Sequence, residues 1–166
     1  MSGAAADAGC VLVIGYGNTL RRDDGVGVRA AELLAADPRL GGVEVEARHQ
    51  LTPELALDIS AASLVIFVDA DVRGLPGSVE VRPVEVSAER SDVGVPAEPG
   101  ASSHHVGAAD LVALAGVLDG HTPEAVIVGI GISDMEFGEV LTPAVEASLP
   151  RVVEFVVDLI ADYRAR

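Results

Sequence analysis

Three segments of the chain are apolar without interruption: Val11-Leu12-Val13-Ile14-Gly15, Leu64-Val65-Ile66-Phe67-Val68 and Ala125-Val126-Ile127-Val128-Gly129-Ile130. Short runs this rich in β-branched residues are strands buried on both faces, the pattern of a parallel sheet with helices packed on either side. Each falls far below the roughly 20 residues that a membrane helix needs. Two further segments, 43–47 and 78–82, alternate apolar and charged residues and so read as strands with one wetter face. The first belongs nearer an edge of the sheet. The second follows the turn at 74–77 and is expected to return antiparallel beside the strand that precedes it.

Between these strands the apolar spacing becomes helical. Residues 26–36 carry Val26, Ala30, Leu33 and Leu34 on one face and stop before Pro38 and the Gly41-Gly42 pair. Residues 53–61 open on a proline, as a first turn favours, and 106–118 follow the same period. The last helix, 142–163, sets Leu149, Val152, Val153, Val156, Ile160 and Tyr163 against Glu154, Asp158 and Asp162, with Pro150 as a point of kinking or division. Strands alternating with helices through right-handed crossovers give an α/β, three-layer sandwich around a roughly five-stranded, mostly parallel sheet. The expected organisation is a flexible tail over residues 1–10 and a single domain over 11–166.

Composition removes several functions. The formal net charge is −15, with 11 basic against 26 acidic residues, which opposes binding to nucleic acid and to an anionic membrane surface. Every basic residue is arginine, so lysine-dependent phosphate loops, Schiff bases and Ser-Lys dyads are excluded. Cys10 is the only cysteine, which rules out an internal disulfide or a multi-cysteine zinc site and fits a reducing, cytoplasmic setting. The first nine residues lack the basic and apolar regions of a signal peptide.

In open α/β sheets, ligands settle outside the carboxyl ends of the strands, where loops leave room and helices present free N–H groups. Three segments reach that address: the loop 15–27, Asp69 at the end of the third strand, and His104-His105 at the entry to a helix. The aperiodic stretch 83–103, rich in serine, proline, glycine and acids, is expected to frame it. Two carboxylates and an imidazole suit nickel, zinc or cobalt better than the all-oxygen shells of magnesium or calcium. The same residues also have plain readings, since a strand-end acid is commonly a loop acid or a helix cap, and Ser-Ser-His-His is a capping sequence. Asp23 and Asp24 can cap the first helix and complement its dipole, and either can point inward. The start Gly15-Tyr16-Gly17 is half a dinucleotide fingerprint, with Leu20 in place of the third glycine and Glu44 and Glu46 near the ribose position. Cys10 lies at the wrong end of the sheet for a nucleophile, and His49 and His121 are lone histidines of the kind that usually serve structure.

The segment from Gly15 to Gly27, Gly-Tyr-Gly-Asn-Thr-Leu-Arg-Arg-Asp-Asp-Gly-Val-Gly, matches G-x-G-N-x-L-x-x-D-[DE]-G-x-G in full. It resembles the opening signature of the hydrogenase maturation endopeptidases. Val68-Asp69-Ala70, Ser103-His104-His105-Val106-Gly107 and Val128-Gly129-Ile130 followed by Leu141-Thr142-Pro143-Ala144-Val145 resemble that family in order and spacing. The resemblance implies the same α/β sandwich and a protease that removes a C-terminal extension from the large-subunit precursor of a nickel-iron hydrogenase after nickel insertion. It places the metal-contacting residues on Asp24, Asp69 and His104. Beside a metal that polarises the carbonyl or a water, a carboxylate can act as the base on the peptide bond, and Asp24 or Asp69 is expected to fill that role. The resemblance further implies no tightly bound metal of the enzyme's own, the nickel being presented by the substrate. Many members carry Asp-Gly-Gly-Thr after the second strand, where this chain has Arg48-His49-Gln50-Leu51-Thr52, a version resembling another branch of the family. This segment is expected to select the substrate, with His49 as a contact. A protease that must release its product is expected to be a monomer. Two other readings stand beside this one: a non-catalytic nickel-sensing assembly factor on the same scaffold, and a dinucleotide-binding enzyme.

Overall fold

The computed structural model describes residues 9–86 and 106–166. The apolar runs form the middle of one five-stranded sheet, ordered β2-β1-β3-β5-β4. Strands β1 (Val11–Tyr16), β2 (Val43–Arg48), β3 (Leu64–Asp71) and β5 (Glu124–Gly131) pair in parallel, while β4 (Val79–Pro83) runs antiparallel to β5. Because β1 and β3 are covered on both sides, every residue from Val11 to Ile14 and from Leu64 to Val68 is buried. The alternating β2 takes one edge, as its pattern predicts.

Strand β4 departs from the sequence reading. It is antiparallel, as expected, but lies beside β5 rather than beside β3. The slot next to β3 is buried on both faces, and the apolar β5 fills it in register, Val68 opposite Val128 and Asp69 opposite Gly129. The charged β4, which ends in Pro83, suits an edge, where an absent N–H and solvated side chains cost little.

Helices α1 (Val26–Ala35) and α4 (Pro143–Arg164) cover one face, and α2 (Leu55–Ala61) and α3 (Ala108–Asp119) cover the other. Helix α2 begins two residues later than the proline suggests, because Thr52 and Pro53 form a tighter turn whose carbonyls accept from Leu55 and Ala56. Helix α4 runs undivided through the exposed Pro150, held on its inner side by buried Val145, Leu149, Val152, Val156 and Ile160. Among the described residues no helix is long and apolar enough to cross a membrane. The N-terminal tail, apart from Gly9 and Cys10, and most of the stretch 83–103 lie outside the described residues.

Candidate active site

The loop after β1 is shaped by close backbone contacts. At Gly17, φ is +149°, and a Cβ would sit 1.9 Å from the carbonyl oxygen of Asp24. Only glycine lets the chain double back here and bring residue 24 under residue 17. A short 3-10 turn, Arg22–Gly25, then carries both acids into α1. They separate. Asp23 is fully buried, and its carboxylate accepts from the backbone N–H of Ser133, Asp134 and Thr142 and from the Thr142 hydroxyl, at 2.7–3.1 Å. Burial pushes its pKa up, yet the hydrogen bonds led by Thr142 and Ser133 outweigh that and hold it below the usual range. Asp23 thus staples the first loop to the chain between β5 and α4. The bond from Arg22 Nη1 to Asp134 at 2.7 Å and the backbone bonds linking Leu20 and Arg22 to Gly138 reinforce the joint.

Asp24 turns the other way and accepts the Asn18 N–H at 2.9 Å. Its charge is felt at Asp69, the strand-end acid of β3. Asp69 is partly buried, takes the N–H of Ala70 at 2.8 Å and a hydrogen bond from the Tyr16 phenol, and is nevertheless raised to about 6. Burial is the main cause, and the neighbouring charges of Asp24 and Asp71 add to it. Tyr16 is itself held protonated, by burial first and then by the charge of Asp69. The result is a phenol, a carboxyl group raised to about 6 and a second carboxylate within electrostatic reach at the sheet's carboxyl end. Such a carboxyl group is suited to take and return a proton near pH 7. The mutual repulsion of two neighbouring carboxylates is the kind that a divalent cation relieves.

Asp24 and Asp69 thus lie within electrostatic reach of one another. His104 and His105 lie outside the described residues, and the chain re-enters at Val106, two positions before α3 begins at Ala108. Among the described residues no group of three His, Cys, Asp or Glu side chains could hold a metal ion. His49 is exposed just past the end of β2, whose Arg48 carbonyl accepts from Gly17 of the first loop. Cys10 is a free, exposed thiol at the opposite end of the sheet. Glu46 is held by Arg48 at 2.6 Å. Sequence reasoning missed Tyr16 as a site residue, although a tyrosine closing an all-aliphatic strand at its carboxyl end was a usable signal.

No family model matches the chain. Two curated relatives do: the hydrogenase expression/formation protein HoxM of Azotobacter vinelandii is 30% identical over 158 residues, covering 92% of this chain and 72% of the relative. HupM of Azotobacter chroococcum is 32% identical with the same coverage. Among solved structures, the hydrogenase maturating endopeptidase HybD from E. coli superposes with a TM-score of 0.72 at 28% identity, covering 92% of this chain and 93% of that one. The chain belongs to the hydrogenase maturation endopeptidase family. A hydrogenase 2 maturation peptidase from a thaumarchaeon is also similar, at 26% identity and a TM-score of 0.66 over 92% of this chain and 98% of that one. This family membership makes the protein a peptidase.

Proposed function

We propose that this endopeptidase removes the C-terminal extension of a nickel-iron hydrogenase large-subunit precursor once nickel is in place. The observation that carries the reading is the meeting of Asp24 and Asp69 at the carboxyl end of the sheet, close enough for one charge to act on the other. Asp24, Asp69 and His104 contact the nickel that the substrate brings, and the enzyme itself keeps no tightly bound metal. Asp69, poised near neutrality, serves as the base that activates water. His49, beside the first loop, contacts the precursor and helps select it. The loops that follow β1, β3 and β5 expose Leu20, Val72, Leu75, Phe137 and Val140, apolar side chains suited to contact with a folded protein partner. The reaction runs in the cytoplasm, with the enzyme as a monomer that binds the precursor only transiently.

The test is intact mass of the unprocessed precursor after incubation with this protein, with and without nickel. Loss of a C-terminal peptide only from the nickel-loaded sample, abolished by His104→Ala and by the double change Asp24→Asn, Asp69→Asn, is the expected result. An unchanged mass in a stable complex would replace the protease by an assembly factor.

A further inference from the structure

Arg82 projects from edge strand β4 on the sheet face that carries Tyr16, Asp69 and Asp71, and the reading above gives it no task. Its Nε is buried and has no hydrogen-bond partner. Its Nη2 stands 3.8 Å from Asp71 Oδ2, too far for a hydrogen bond. Asp71 Oδ1 accepts the Arg73 N–H at 2.9 Å, and Arg82 gives Oδ2 only a loose ion pair without a hydrogen bond. Between the two side chains lies Gly129, the register partner of Asp69. A Cβ at that position would sit 3.4 Å from Asp71 Oδ2 and 3.9 Å from Arg82 Nη2. The missing side chain leaves the guanidinium lying over bare backbone, next to the acid centre. Its positive charge reaches Tyr16, where it opposes the effect of the acids. A buried N–H without an acceptor is costly to keep, and in an active site it marks a place where an acceptor arrives.

We propose that Arg82 is a catalytic residue that binds the carbonyl oxygen of the peptide bond to be cut. As water adds to the carbonyl carbon, its proton passes to a carboxylate of the site and the oxygen gains negative charge, which the guanidinium stabilises. The C–N bond then breaks, the oxygen returns to a carbonyl, and the held proton goes to the leaving nitrogen. A cation with unused donors fixed in advance of this charge is the arrangement that such a step rewards.

The inference rests on the proposed cleavage of the precursor, so the wild type is assayed first on the nickel-loaded precursor. Arg82→Gln is expected to lower kcat about 100-fold with KM changed less than threefold, and Arg82→Lys to recover part of the loss. Asp71→Asn separates a structural role. If Arg82 served only to hold Asp71, the Asp71 variant would show the same loss and the double variant no further one, and the inference would fall. It would fall equally if Arg82→Gln kept kcat within threefold of a cutting wild type. A wild type that binds the precursor and leaves it intact would overturn the cleavage reading first, and this inference with it.

Discussion

Asp23 and Asp69 both leave water at the carboxyl end of the sheet, Asp23 fully and Asp69 in part, and their surroundings treat them in opposite ways. Around Asp23 the chain has gathered three backbone N–H groups and a hydroxyl, so the carboxylate stays charged in spite of its burial. Around Asp69 there are one backbone N–H, one phenol and two other acids, and the carboxyl group rises to about 6. Burial pushes both groups up, and what separates them is that Asp23 has four donors to outweigh it while Asp69 has two donors and two neighbouring acids. A satisfied buried carboxylate is a structural pin, while an under-supplied one holds its charge loosely and is available for proton transfer. Asp23 fixes two loops and with them the place of Asp24, its neighbour in sequence, whose charge acts on Asp69.

The largest effect is expected where the donors are richest. Asp23→Ala would strand the N–H groups of Ser133, Asp134 and Thr142 in the interior, at about 3 kcal/mol or more of stability. Urea unfolding at pH 7 measures it, and a loss under about 1 kcal/mol would break the comparison. The sign in acid follows from the depressed pKa: the stabilising contribution of Asp23 is full above its unfolded value of 3.8 and disappears as pH falls through the lower folded value. Cleavage should fall in parallel with stability in this variant, since the loop bearing Asp24 loses its anchor.

The contrast also marks what the sequence could and could not tell. The apolar runs at 11–15, 64–68 and 125–130 made the central strands plain, because a run without polar residues has nowhere to go but a doubly covered sheet. Asp69 and Asp24 were legible as candidates from the rule that sites gather at strand carboxyl ends and from the motif around them. The place of β4 was not, since an antiparallel return can pair with either neighbour until β5 claims the buried slot. Nor was the division of labour between Asp23 and Asp24. It depends on Ser133, Asp134 and Thr142, more than 100 positions away, and the sequence placed Thr142 only at the start of the last helix. Its hydroxyl turns instead to Asp23, and Pro143 opens α4 without it. Arg82 was hidden for the same reason, because its significance depends on the bare Gly129 lying across the strand.

Asp69→Asn sharpens the comparison in the opposite direction. Because the folded pKa of Asp69 is raised above its ordinary value of 3.8 to about 6, the native state holds the proton longer than the unfolded chain. Asp69 therefore lowers stability progressively as pH rises from about 4 to about 6, and the penalty is complete above that. Asparagine cannot ionise, so the variant should lose this fall and gain on the order of 1 kcal/mol at pH 7 to 8. Its cleavage rate should drop at least about 100-fold. Denaturation midpoints at pH 5 and pH 8, set beside precursor cleavage, read both. An Asp69→Asn protein that is less stable at pH 8 would mean that this carboxylate is a pin like Asp23.

The smallest effect comes from changing the donor supply and leaving the acids in place. Tyr16 gives Asp69 the hydrogen bond that lowers its pKa, working against burial. Tyr16→Phe removes one oxygen and keeps the ring between the sheet and the α2–α3 layer. With that donor gone the carboxyl group should hold its proton to higher pH. If Asp69 acts as the base, the acid limb of the cleavage profile should then move up by about one pH unit, while the plateau rate at high pH falls only severalfold. A plateau lost outright, with the limb unmoved, would make the phenol a direct participant in the chemistry. If both limb and plateau stayed as in the wild type, the pKa of Asp69 would be set by burial and the neighbouring acids alone, and donor number would not be what separates the two carboxylates.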